Sequence, residues 1–192
     1  MKPPDHNPRI VVLTAPSGSG KTTIANRIMA AIPAFRFSVS ATTRPRRPDE
    51  KDGKDYHFLS HQEFQARIHS GEMLEHEEVY PGRLYGTLRS ELEGASTENP
   101  VLLDIDIDGA FKIKNIFGND ALIVFIRPPS LRELGRRLRE RATENEETIR
   151  VRLDRARREL DAARKADKVI ENDDVERAVK ETLRVVRRFI RG

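Results

Sequence analysis

One segment constrains this chain more than any other: Ala15-Pro16-Ser17-Gly18-Ser19-Gly20-Lys21-Thr22, set between an apolar run and a helical pattern. Ahead of it, Arg9-Ile-Val-Val-Leu-Thr14 is continuously apolar and β-branched, as in a strand buried on both faces of a parallel sheet. Behind it, Ile24, Ile28, Ala31 and Ile32 recur at helical spacing until Pro33 stops the helix. A glycine-rich turn between strand and helix points successive backbone N–H groups at phosphate oxygens, and the helix N-terminus adds a favourable field. Gly18 and Gly20 remove Cβ atoms from that approach. Lys21 can bridge the β- and γ-phosphates, and the Thr22 hydroxyl can ligate Mg²⁺. The predicted triphosphate grip is therefore Ala15, Pro16, Ser17, Gly18, Ser19, Gly20, Lys21, Thr22 and Thr23. Ala15 stands where the strict motif has glycine, and a negative φ accommodates it. An incidental Gly/Ser-rich turn would not need a strand before it and a helix after it.

Further strands are predicted at Val101–Asp106, Ala121–Ile126 and Lys168–Glu171, and helices at Leu131–Arg141, Thr148–Ala166 and Val175–Arg191. Their alternation predicts a three-layer α/β core around a parallel sheet. Asp104 and Asp106 close the second apolar strand, at the edge where such sheets bind ligands. They suit Mg²⁺ held through water, or the orientation of a second substrate; the alternative is that they cap the helix beginning near Gly109. Residues 38–87 break the alternation. They are polar, with short alternating segments at Tyr56–Leu59 and Glu72–Val79 flanking a helix at Gln62–Ser70, and read as an inserted subdomain.

The chain has 192 residues, no cysteine, and a net charge of +4 from 35 Lys+Arg against 31 Asp+Glu. Disulfides and thiolate metal sites are excluded. The apolar runs are too short to span a bilayer and the Pro-rich first residues lack a signal core, so the expected location is cytoplasmic, without membrane or nucleic-acid partners. Most arginines between Arg127 and Arg164 alternate with glutamates at helical spacing and read as a solvated face, Arg139 and Arg155 among them. The histidines show no metal-like pairing with acids and read as surface or hinge residues. Monomer and homo-oligomer are both left open.

Several segments, taken in order, resemble guanylate kinase of the P-loop nucleoside monophosphate kinase family. Besides the glycine-rich loop they are Ser38-Val-Ser-Ala-Thr-Thr-Arg44, Gly53-Lys-Asp-Tyr-His-Phe58, Leu74-Glu75-His76, Leu84-Tyr-Gly-Thr87, Leu103-Asp-Ile-Asp106 and Arg141-Ala-Thr-Glu144. The resemblance spans residues 9–190. It implies a P-loop kinase core (1–37, 88–127 and 160–192), a GMP-binding subdomain (38–87) and a helical lid (128–159). It implies transfer of the γ-phosphoryl group of ATP to GMP, and to dGMP, giving ADP and GDP in purine nucleotide metabolism, with Mg²⁺ as cofactor.

Residue by residue, the resemblance places Arg44, Arg47, Tyr56 and Tyr85 on the GMP phosphate, and Ser40, Glu75 and Thr87 on guanine. Glu50, Asp104 and Asp106 match further GMP-subsite positions, although Glu50 has an alternative as the ion-pair partner of a neighbouring arginine. Lys21, Arg137, Arg141 and Arg152 match the groups that stabilise the transferring phosphoryl. Two departures accompany it. Ala142 replaces a lid glycine, and Tyr80-Pro-Gly-Arg-Leu84 is longer by about one residue than the family's usual approach to Tyr85. Three other readings compete. A phosphopeptide-binding scaffold would not need Lys21 or the lid arginines, a sugar-phosphate kinase would not need Glu75, and a nucleic-acid ATPase would need stacking aromatics that are scarce here, at 6%.

Overall fold

The computed structural model describes residues 8–140 and 145–192. In chain order, β1 (Ile10–Thr14) runs through the glycine-rich loop into α1 (Lys21–Ala31), followed by the short strands β2 (Arg36–Phe37), β3 (Ala41–Thr42) and β4 (His57–Phe58). Next come α2 (His61–His69), β5 (Met73–Tyr80), β6 (Arg83–Leu88), β7 (Val101–Asp104), α3 (Ile107–Phe117) and β8 (Ala121–Arg127). The chain finishes with α4 (Leu131–Glu140), α5 (Glu146–Ala162), β9 (Lys168–Glu171) and α6 (Val175–Arg191).

Five strands form a wholly parallel sheet in the order β2-β7-β1-β8-β9. Side-chain alternation along β1 explains the layers. Val11 and Leu13 face Ile24 and Ile28 of α1 and Ala178, Val179 and Val186 of α6, while Ile10 and Val12 face Ala110 and Ile113 of α3. Both faces are covered, which is why the sheet strands read as unbroken apolar runs. Strand β1 lies between β7 and β8, so its carboxyl end opens at the point where the chain's crossovers diverge, the usual ligand crevice of such sheets.

A second sheet of four strands, β4-β3-β6-β5, is mixed: β3 and β4 run parallel, and β6 is antiparallel to both β3 and β5. It covers its own small core of Ala41, Phe64, Met73 and Leu88. Helix α2 starts at a capping box in which the Ser60 hydroxyl accepts from Glu63 N–H and the Glu63 carboxylate accepts from Ser60 N–H. Helices α4 and α5 pack on each other through Leu134, Leu138, Ile149 and Ala156. Helix α5 runs unbroken from Glu146 to Ala162 and a 3-10 turn extends it to Lys165. No sequence pattern predicts strands β2 and β3; each is two residues long, too short for any periodicity to register.

Candidate active site

The glycine-rich loop folds back on itself, with Ser19 N–H donating to Pro16 O at 3.1 Å, and delivers the chain into α1 at Gly20. Gly20 has φ 88° and supplies no capping side chain, so the N–H groups of the first turn stay directed at the cleft. A Cβ on Gly20 would stand 2.4 Å from Asn172 Nδ2, and one on Gly18 would press at 3.1 Å on both Leu134 and Leu138. Both glycines, each at positive φ, are thus required by the protein's own packing. Asn172 holds the loop from behind, donating from Nδ2 to Ser19 O at 2.7 Å.

Lys21 lies between strand ends. Its ammonium pairs with Asp104 and donates to Ile105 O at 3.1 Å. Asp106 is the N-cap of α3, accepting from Asp108 N–H and Gly109 N–H, so the capping alternative holds for this residue. Both carboxylates nevertheless line the same cleft as Thr22. Hydroxyl and carboxylate oxygens around a phosphate cradle are the donor set of a hard cation kept largely by phosphates and water. Among the described residues no group of three or more His, Cys, Asp or Glu side chains forms a cage of its own.

Across the cleft, of about 620 Å³, stand Ser40, Arg47, Tyr56 and Tyr85. Tyr56 and Tyr85 meet edge to face with ring centroids 6.0 Å apart. Burial pushes the Tyr56 hydroxyl up to about 12, with Asp104 and Tyr85 adding to the rise, so it stays a proton donor. Arg44 is buried beside Tyr56, its guanidinium carbon 5.3 Å from that ring, and its fork meets Glu50 in two bonds of 3.0 and 2.7 Å. Glu50 also accepts from Arg47 N–H at 2.8 Å, so the ion-pair alternative holds for Glu50. The arginine holds this carboxylate below its ordinary range.

Glu75 is only 4% exposed. Thr87, its cross-strand partner in the β5–β6 register, donates to its Oε1 at 2.5 Å, while Oε2 faces the space that Gly109 leaves by having no side chain. Burial raises its carboxyl to about 7 against the lowering effect of Thr87, and Asp106 raises it further. Buried acids whose protonation is shifted in this way cluster at functional sites.

From α4 and α5 come the arginines. Arg152 lines the cleft and donates to Ser17 Oγ. Arg137 sits beside the loop, bonded to Glu133 at 2.9 Å and to Asn172 O at 3.2 Å. Arg141 and Ala142 lie outside the described residues. Arg139 pairs with Glu146 on the surface, as a solvated face should. Arg155 overturns that expectation: its side chain is 19% exposed and lines the cleft, because α5 turns this face toward β5 rather than toward water. The only advance signal was its spacing, three residues after Arg152 and hence on the same helical face. Tyr80 and Glu159, also in the cleft wall, carried none. His57, half-exposed, pairs through Nε2 with the single acid Glu91 at 3.0 Å.

A grip for one phosphorylated ligand therefore faces a second site that presents a buried carboxylate, an arginine and two tyrosines. The family profile described as "Guanylate kinase" matches residues 7–189. This chain belongs to the guanylate kinase family. A guanylate kinase of Salinibacter ruber is 60% identical over 187 residues, 97% of this chain and 98% of that protein. One from Chlorobium luteolum is 45% identical over 95% of this chain and 92% of its own length. The crystal structure of guanylate kinase from Anaplasma phagocytophilum superposes with a TM-score of 0.77 at 35% identity, covering 94% of this chain and 85% of that one. A gluconokinase from Sinorhizobium meliloti, at 16% identity and TM-score 0.52, shares the fold alone. The chain is accordingly an enzyme, a nucleotide-binding kinase. Among the described residues no helix is long and apolar enough to cross a membrane.

Proposed function

We propose that the two faces of this cleft carry out direct transfer of the γ-phosphoryl group of ATP to GMP, with each face holding one substrate. The observation that carries the reading is the buried Glu75 carboxylate, 4% exposed and opposite a Lys21-bearing phosphate loop. An ionised Glu75 accepts from both N1–H and the exocyclic amine of guanine. Adenine offers neither donor there and would leave a desolvated acceptor unpaired, a loss that discriminates by orders of magnitude. Ser40 and Thr87 complete the base site. None of these three reads the ribose, which supports dGMP as a second acceptor.

Arg44, Arg47, Tyr56 and Tyr85 bind the acceptor phosphate, and Glu50 fixes the Arg44 fork. The acceptor oxygen is already anionic near neutrality, so its attack on the γ-phosphorus needs no general base. The bond to the ADP oxygen breaks as the new one forms, and no proton changes hands. Catalysis is then alignment plus charge neutralisation. Lys21, Arg137, Arg141 and Arg152 neutralise the transferring group, and closure of residues 128–159 over the core (1–37, 88–127 and 160–192) and the acceptor subdomain (38–87) excludes water. Thr22 and, through water, Asp104 or Asp106 would hold Mg²⁺, which supplies further charge neutralisation at the phosphates. The cytoplasm, where both nucleotides are found, is the expected location.

The test is ADP release from Mg·ATP with GMP, AMP, IMP or a ribose phosphate as acceptor. Release that depends on GMP and is far weaker with AMP is expected. ATP turnover indifferent to GMP would sink the reading.

A further inference from the structure

The bonds that join α5 to β5 belong to none of the substrate contacts above. Strand β5 carries an irregularity near its end: Glu78 pairs with Leu84 but Tyr80 pairs with Arg83, leaving Val79 without a partner in the ladder. A bulged residue frees its backbone from the sheet and re-aims its neighbour. Both consequences are visible. The Val79 carbonyl accepts from Arg155 Nη1, and the Tyr80 ring is flanked by two guanidinium groups, Arg152 at 5.6 Å and Arg155 at 5.5 Å from its centroid. Arg155 is held in this pose from its own helix, donating from Nε to Glu159 at 2.7 Å, and Glu159 is itself buried. Arg152 in turn donates to Ser17 of the phosphate loop. A continuous path therefore runs from the acceptor-side sheet through Tyr80 and Arg152 to the loop that grips ATP.

We infer that Tyr80 and Arg155 form a clasp that seats Arg152, making both of them positioning residues for phosphoryl transfer. A planar guanidinium can donate in its own plane to two acceptors while its face lies on a ring, which lysine's point charge cannot do. The half-buried setting of the Tyr80 ring strengthens that attraction by excluding water. Since Tyr80 belongs to the strand that carries Glu75, the clasp places the base-reading strand and the transferring-phosphate arginine in fixed relation.

The inference rests on Arg152 acting at the phosphates, and the experiment separates the two. Steady-state kinetics on the full chain would compare Tyr80→Leu, Tyr80→Phe, Arg155→Ala, Arg155→Lys and Arg152→Ala, with thermal melting as a check on folding. Leucine keeps apolar bulk at position 80 and removes the π-face, whereas phenylalanine keeps the face. Expected are a fall in kcat of about tenfold for Tyr80→Leu and Arg155→Ala, with both KM values within about twofold. Tyr80→Phe should stay within about twofold of the parent chain, Arg155→Lys should not recover, and the Tyr80→Leu/Arg155→Ala double variant should fall short of the product of the single effects. Normal kcat in Tyr80→Leu and Arg155→Ala alongside a slow Arg152→Ala overturns the clasp. An unaffected Arg152→Ala overturns the phosphate role on which it rests. Melting points lowered in proportion to kcat across the series, with no rescue by phenylalanine, reduce the clasp to packing and also overturn it.

Discussion

Gly109 offers a sharp test of the base site. It lies in the first turn of α3 with Glu75 pressed against it, and a Cβ there would stand 2.7 Å from Glu75 Oε2 and 3.1 Å from its Cδ. In Gly109→Ala the carboxylate must retreat by about 0.7 Å to reach ordinary contact at 3.4 Å. Its other oxygen is tied to Thr87, so the carboxylate rotates rather than translates and loses its alignment with the two guanine donors. Forfeiting one charge-assisted hydrogen bond costs about 2 kcal/mol, a rise of about thirtyfold in the KM for GMP. The helix itself gains, because alanine is favoured over glycine by about 0.5–1 kcal/mol at such a position. Binding and stability should therefore part company: weak GMP binding, a KM for ATP within about twofold of the parent, and a Tm that does not drop by more than a few degrees. ADP release measured against GMP concentration at saturating Mg·ATP, with a melting curve on the same sample, reads both. An unchanged KM for GMP would show that guanine does not meet Glu75, and the acceptor-site reasoning would fail.

Other outcomes follow from the same geometry. Because burial raises the Glu75 carboxyl to about 7, the KM for GMP should climb as pH falls from 8 to 6, a trend that Glu75→Gln abolishes. Between the ordinary carboxyl value of 4.5 and about 7 the folded chain holds this proton more tightly than the unfolded chain. Nucleotide-free protein should then lose up to about 3 kcal/mol as pH rises through that window, a slope that denaturant titrations find missing in Glu75→Gln. Lys21→Ala should melt normally and lower kcat by about a hundredfold or more; near-normal turnover would remove Lys21 from the mechanism. Glu50→Gln leaves the buried Arg44 without its carboxylate and should cost about 2 kcal/mol, a Tm lower by about 4–8 °C, with weaker GMP binding.

The parts of this molecule legible from sequence are those set by local chemistry. The phosphate loop announces itself because its strand, glycines, lysine and helix are contiguous, and β9 and α6 appear where their short-range pattern placed them. Glu50 and Asp106 had two candidate roles each, and nothing in their own neighbourhood could choose between them. The ion pair and the helix cap come into view only where Arg44 turns and where α3 begins, and neither removes the second role. Spacing alone misplaces Arg155, because a helical wheel records which residues share a face without recording what covers it; here the cover is β5, 76 positions away in the chain. The His57–Glu91 contact spans 34 positions and the Asn172–Ser19 contact spans 153, distances over which no spacing rule operates.

The separate apolar cluster beneath the second sheet has an evolutionary consequence. Ala41, Phe64, Met73 and Leu88 bury one another in a cluster of their own, so sequence drift among these four acts first on the second sheet, which joins the larger core through Leu74. Damage there should erode acceptor recognition first and leave the triphosphate machinery standing. Selection can try new acceptors on residues 38–87 only while the contacts of β5 with α3 and α5 are kept.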